Sequence, residues 1–432
     1  GIGALSAIRW PIQGAGIMAF AATGIGLYAS IQYDPLSTVI LAGIIMIPAI
    51  AIWLSWQAQE TIGMIAVIAI VTSTLLGAVA VGSSKVADHY FGPTHPESLL
   101  AENEPLVAEW LWVGAVTEEA MTITAGGLEV GASHLLLLRE ASSADSSAWS
   151  RSVTAEADAF GVARFSVDGL SSATTYDYAV AEQSAAPGIS ESEEVSEADA
   201  QVRTLPTSAD GLVVVFGSCA RVGSNGAVFE QMLNTDPDLY IVTGDLHYSN
   251  LASDDPEDHV DAYERVLDQP APALLMRSVP TAYVWDDHDY GPNDAGASSP
   301  SRVAVGTAYR AVVPHYGVSD DLGDPINQAF SVGDVRFVLV DTRSQRIGTT
   351  MLGDAQREWL IEEIIASSRT HRLVVWVNPT PWIVTDESSG DDWAAYETER
   401  ASISQRFADA AIDDVVMVSG DAHMVAIDDG TN

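Results

Sequence analysis

Cysteine and lysine are nearly absent from this chain of 432 residues: Cys219 is the only thiol and Lys85 the only lysine. One cysteine excludes an internal disulfide, so disulfide usage says nothing of the compartment. Basic residues are few, 19 against 59 acidic ones, for a net charge of −40. That balance excludes a nucleic-acid partner, because a phosphate backbone requires a basic footprint. An acidic surface poor in lysine fits concentrated salt, where screening shortens electrostatic range to about 3 Å at 1 M. The composition therefore predicts a halophilic protein.

Charge is also missing from the first 85 residues, which hold only Arg9, Asp34, Glu60 and Lys85. The apolar gaps between them are long enough for helices crossing a hydrocarbon core of about 30 Å. Three transmembrane helices are expected, Gly14 to Ile31, Ser37 to Trp56 and Thr61 to Gly82. Trp10, Tyr33, Trp53 and Trp56 lie near their ends, as interfacial aromatics do. Three spans with Arg9 inside would leave the remainder of the chain outside the cell membrane.

Beyond the apolar region the pattern changes twice. Over residues 105–206 short segments such as MTITA, ARFSVDGL and TTYDYAVAEQ alternate in period two, which predicts a β-sandwich. The stretch DGLSSATTYDYAVAEQ resembles the tyrosine-corner strand of fibronectin type III and related immunoglobulin-like domains, at Leu170, Tyr176 and Tyr178. Over residues 207–432 apolar strands (LVVVFG, LYIVTG, TAYVWD, VRFVLVD, RLVVWV, VVMVSG) alternate with helical segments, an α/β pattern. The expected fold is thus multi-domain: a membrane anchor at 1–85, a sandwich, then an α/β domain.

Chemistry gathers where strands run out. Ligands of α/β sheets bind beyond strand carboxyl ends. There the chain places Cys219 in FGSCA, Asp245 and Tyr248 in GDLHY, Asp287 and His288 in WDDHD, and Asp421 and His423 in SGDAH. A lone buried Cys is ordinarily a small core residue. Four such clusters together instead suggest a metal centre of oxygen, imidazole and thiolate donors. The carboxylate of Asp245 could bridge two cations, and Asp421 and His423, straddling Ala422, would project to one side of an extended strand end.

GDLHY, WDDHD and SGDAH resemble the metallophosphoesterase motifs GDxxY, GNHD and GHxH. FGSCA, WDDH, SGDAH, LVDTRSQR, LGDAQREWL and GDDWAAYETER are similar, more narrowly, to the PhoD-like alkaline phosphatases. The resemblance implies a four-layer α-β-β-α catalytic domain preceded by that family's β-sandwich. It implies a ferric ion on Cys219, Asp245, Tyr248 and His423, with Asp245 shared with calcium on Asp287, Asp421 and Asn293. Oxygen-only ligands suit calcium.

The implied activity is hydrolysis of a phosphoester, a small molecule or a lipid or polymer, by water activated on the ions. His288 is the candidate for protonating the leaving group, and Arg343 for clamping phosphoryl oxygens or forming a structural ion pair. His247, Asp289 and Tyr290 would orient the ligands. The alternative is a surface adhesion or scaffolding protein with a vestigial site. Two departures stand out: VNPTPW puts Asn378 where relatives carry a metal-binding His, and the chain stops nine residues after His423, so the catalytic domain is expected to be incomplete.

Overall fold

The structure, a computed structural model, describes residues 107–143, 149–183, 198–220, 226–383 and 390–428. The three expected transmembrane helices lie outside the described residues. Among the described residues no helix is long and apolar enough to cross a membrane. The longest spans Gly353–Ser367, 15 residues, and at 1.5 Å per residue covers about 22 Å. It also carries Asp354, Arg357, Glu358, Glu362 and Glu363, charges that a hydrocarbon core excludes. The fold class is corrected accordingly to a β-sandwich followed by an α/β domain, and the membrane as a partner is withdrawn.

The first seven strands are β1 (Trp110–Gly114), β2 (Ala120–Gly126), β3 (Ser133–Glu140), β4 (Arg151–Glu156), β5 (Ala163–Asp168), β6 (Thr175–Glu182) and β7 (Ala200–Arg203). One sheet runs β5-β2-β1 and the facing one β4-β3-β6-β7. Period two is plain in β5, where Ala163, Phe165 and Val167 are buried and Ser166 and Asp168 are exposed. The tyrosine corner forms as expected: Tyr176 Oη accepts from the Ser171 N–H at 2.9 Å.

The α/β part begins with β8 (Val214–Gly217), α1 (Gly226–Asn234), β9 (Leu239–Thr243), α2 (Pro256–Leu267), α3 (Pro270–Ser278) and β10 (Thr281–Val284). It continues through α4 (Asp287–Tyr290), α5 (Arg302–Val312), β11 (Gln328–Val332), β12 (Val335–Leu339), α6 (Gly353–Ser367) and β13 (Leu373–Val377). A 3-10 turn (Trp393–Tyr396), α7 (Glu397–Asp409) and β14 (Val415–Val418) complete it. The run ERVLDQPAPALLM, helical in spacing, is two helices. Pro270 opens the second, since proline fits the first turn of a helix but not its interior.

Strands β10, β9 and β8 are parallel and extend the first sandwich sheet, giving the order β5-β2-β1-β10-β9-β8. Gly114 opposite Thr281 makes the junction; a Cβ there would lie 2.5 Å from the Thr281 carbonyl oxygen. Side chains reinforce it. Arg164 donates to the carbonyls of Arg310 and Val313 at 2.7 and 2.8 Å, and Tyr178 to that of Arg277 at 2.7 Å.

The second sheet, β11-β12-β13-β14, stacks on the first. Phe337, Leu339, Val375 and Val377 join the core of the first sheet, while Val338, Val340, Val374 and Trp376 face α6 and α7 through Leu360, Ile364 and Ile403. Alternate residues of one buried strand thus serve two cores. In α6 the buried face is Gln356, Leu360, Ile361 and Ile364, with Trp359 and Ile365 at its margin. Because β8, β9, β10, β13 and β14 run parallel to their neighbours, their carboxyl ends open in common directions.

Candidate metal centre

Each strand end contributes one donor or pair. Cys219 follows β8, Asp245 follows β9, Asp286 and Asp287 follow β10, and Asp421 and His423 follow β14. Four of these have left-handed backbones: Cys219 (φ 57°), Asp245 (φ 52°), Asp421 (φ 60°) and His423 (φ 49°). Such conformations cost of order 1–3 kcal/mol each outside glycine and persist where the surroundings impose them, often at functional sites. Glycines bring the ends together. Gly244 has φ 92°, and a Cβ on it would fall 2.4 Å from Asp286 Cβ; one on Gly420 would fall 2.4 Å from the Thr243 carbonyl oxygen.

The donors converge. Cys219 Sγ lies 3.7 Å from Asp245 Oδ2, and Tyr248 Oη 2.8 Å from His423 Nε2. Ligand atoms of Cys219, Asp245 and His423 fall within 4.8 Å of one another, as do those of Asp245, Asp286, Asp287 and Asp421. Asp245 belongs to both groups. It is fully buried, and its Oδ1 accepts no hydrogen bond among the described residues; nor do Asp287 Oδ1 and Asp286 Oδ2.

Carboxylates this close repel. At an effective dielectric of about 20, two charges 4.8 Å apart oppose each other by about 3–4 kcal/mol. Burial, then the charges of Asp289, Asp286 and Asp287, push the Asp245 carboxyl up to about 9. Burial likewise raises Asp286 to about 7 and Asp289 to about 6, and also raises Asp421. The Cys219 thiol is pushed up to about 11 by burial, and the Tyr248 phenol is raised by burial and by Asp245. Acceptor oxygens without donors, in a cluster too acidic to ionise fully, are what cations would compensate. The donor set therefore fits metal ions, with oxygen on one side and sulfur, imidazole and phenol on the other.

Around this cluster the remaining expected residues separate. His288 is half-buried, and one of its ring nitrogens lies within 4.8 Å of carboxylate oxygens of Asp245 and Asp287. Asn293 is exposed, its amide nitrogen spent on Asp294 at 2.7 Å. Arg343 is wholly buried and committed to Asp286 and Asp391, with Asp287 at 3.7 Å, an ion-pair arrangement that leaves no fork for a phosphoryl group. Burial works against its charge, but Asp286 and Asp391 outweigh it and raise its pKa. Asn378 is buried too, its oxygen accepting from Trp393 Nε1 at 3.1 Å.

Asp289 ties two strand ends together: it accepts from the His247 N–H at 2.9 Å and from the Asp286 N–H at 3.1 Å. His247, buried and lowered to about 3 by that burial, is neutral against the edge of Tyr263. Asp286, Asp391 and Asn250 escaped the sequence reading. The doublets in WDDHD and GDDW put acids there, but did not disclose that both members of the first join one cluster or that Asp391 meets Arg343.

A family model described as PhoD-like phosphatase matches residues 213–431, just over half of the chain. The chain belongs to the PhoD-like phosphatase family. It is a phosphoric ester hydrolase, and a metal-dependent one. Two solved structures share its fold. One, titled as the structure of PhoD, is 16% identical with a TM-score of 0.60, covering 73% of this chain and 71% of that one. The other, a purple acid phosphatase from yellow lupin (Lupinus luteus) seeds, is 13% identical with a TM-score of 0.53, covering 73% of this chain and 58% of that one. No curated protein matches the chain by sequence.

Proposed function

We propose that this PhoD-like phosphatase hydrolyses phosphoesters over a mixed pair of cations, ferric iron and calcium. Cys219, Asp245, Tyr248 and His423 would hold the iron, and Asp287 and Asp421 the calcium, with Asp245 shared between them. The observation that carries this reading is the double membership of Asp245: one oxygen 3.7 Å from the Cys219 sulfur, the other buried without a hydrogen bond in a four-carboxylate group. Thiolate and phenolate suit the iron side and carboxylates the calcium side.

When bound, such ions lower the pKa of water and neutralise charge on the attacking and departing oxygens. The residues of the chain supply the rest. Asp289 holds the loops after β9 and β10 at fixed separation, and Arg343 neutralises Asp286 and Asp391 behind the ligands. His288, beside Asp287, stands where a proton could be given to the leaving oxygen.

Elemental analysis with a visible spectrum tests the assignment. One iron and calcium per chain are expected, with a tyrosinate-to-iron band that disappears in Tyr248→Phe. Zinc alone, or a band that survives the substitution, would overturn it.

A further inference from the structure

The imidazole of His288 is gripped from one loop. Its ring lies 4.2 Å from that of Tyr248, and its Nδ1 is 2.6 Å from Asn250 Oδ1. Asn250 touches the same region twice more: its Nδ2 donates to the Tyr248 carbonyl at 3.0 Å, and its backbone N–H to the His288 carbonyl at 3.3 Å. A carbonyl only accepts, so the amide nitrogen must face Tyr248 and the amide oxygen must face His288. That oxygen also only accepts. The hydrogen therefore sits on Nδ1, and Nε2 is the nitrogen left to exchange a proton with substrate.

We propose that Asn250 is the positioning residue of His288, fixing its ring orientation and its Nδ1–H form so that Nε2 serves the leaving group. This rests on the hydrolase reading above. Oδ1 accepts from Nδ1–H whether the ring is neutral or cationic, so the grip survives a proton transfer. In the step served, a water oxygen forms the new bond to phosphorus and sheds its proton to solvent. The departing oxygen takes the proton from Nε2 as its own bond to phosphorus breaks. The ring is left neutral with its hydrogen on Nδ1, donated to Asn250 Oδ1, and solvent reprotonates Nε2.

Asn250 also has a plainer use, because its φ of 52° is a conformation that asparagine tolerates better than most residues. Asn250→Gly separates the two roles: glycine adopts that backbone freely, so only the amide is lost. Asn250→Asp keeps an oxygen acceptor in place.

The test compares the metal-loaded parent, Asn250→Gly, Asn250→Asp, His288→Ala and the Asn250→Gly/His288→Ala pair on phenyl phosphate and 4-nitrophenyl phosphate. Asn250→Gly is expected to lower kcat on phenyl phosphate by about 10–100-fold with KM and metal content unchanged. It should cost less on 4-nitrophenyl phosphate, whose acidic leaving group needs no proton. Asn250→Asp should recover most of the loss, and Asn250→Gly should cost nothing further once His288 is removed. Equal losses on both esters, loss of metal, or a cost that persists without His288 would overturn the proposal. So would an active parent that Asn250→Gly leaves unaffected, with the hydrolase reading then intact. A loaded parent that turns over neither ester overturns both.

Discussion

Arg343 meets Asp391 through two contacts, Nη1 to Oδ1 at 2.7 Å and Nη2 to Oδ2 at 3.2 Å, with the guanidinium wholly buried. Asp286 takes a third nitrogen of the same fork, and Arg346 shares Asp391. One cation thus serves two carboxylates on separate segments, Asp286 after β10 and Asp391 before the 3-10 turn.

Removing that cation leaves two buried carboxylates without it. Arg343→Ala is expected to destabilise the fold by about 3–5 kcal/mol, the usual cost of breaking a buried pair from one side. Urea titration measures it. Arg343→Lys keeps the charge but not the planar fork, and should recover only part of the loss. A phosphoryl clamp would behave differently, with stability near that of the parent and KM raised.

The carboxylate cluster sets a pH dependence whose sign can be worked out. Asp245, Asp286 and Asp289 stand at about 9, 7 and 6 in the fold, above the ordinary carboxylate value. Between that value and about 9 the folded state binds more protons than the unfolded chain, so these groups lose their stabilising effect as pH rises. Asp391, held low by Arg343 against the effect of burial, works oppositely at acid pH, and His247, lowered to about 3 by burial, works oppositely up to its ordinary value of 6.5. Metal-free protein in chelator should therefore melt at progressively lower temperature from pH 7 to pH 9, above the range in which the buried histidines act. Adding iron and calcium should flatten the slope, since cations favour the ionised carboxylates. A chelated protein whose melting temperature rises over that range would contradict the burial of these acids together.

What the sequence disclosed follows from how local each signal is. Cys219, Asp245, Asp421 and His423 each end an apolar strand run, so their place at a sheet edge was readable from neighbours within a few residues. The tyrosine corner at Tyr176 was equally local. Long-range pairings were not: nothing near Gly114 announces that the sandwich sheet continues through Thr281 into the α/β domain. The direction of Arg343 was undecided for the same reason, because its partners lie 57 and 48 residues away. Asn250 carries no local signal of its role, and only the approach of β10's end makes it a partner of His288. The apolar stretches before residue 85 were read from their length and missing charge alone, and that reading is the one withdrawn.

Gly244 offers the sharpest check on how closely the strand ends must approach. Its φ of 92° already disfavours any side chain, and a methyl group there would lie 2.4 Å from Asp286 Cβ and 3.0 Å from Asp286 N. Gly131, with φ 76° and nothing within 4 Å of a Cβ, carries the backbone cost alone. That cost is of order 1–3 kcal/mol, so Gly131→Ala should lower the urea midpoint modestly and leave metal content and kcat unchanged. Gly244→Ala should lose more stability and also metal, because the Asp286–Asp287 segment must move away from Asp245. If the two variants retain equal metal and equal activity, the spacing of β9 and β10 is looser than the ligand cluster requires.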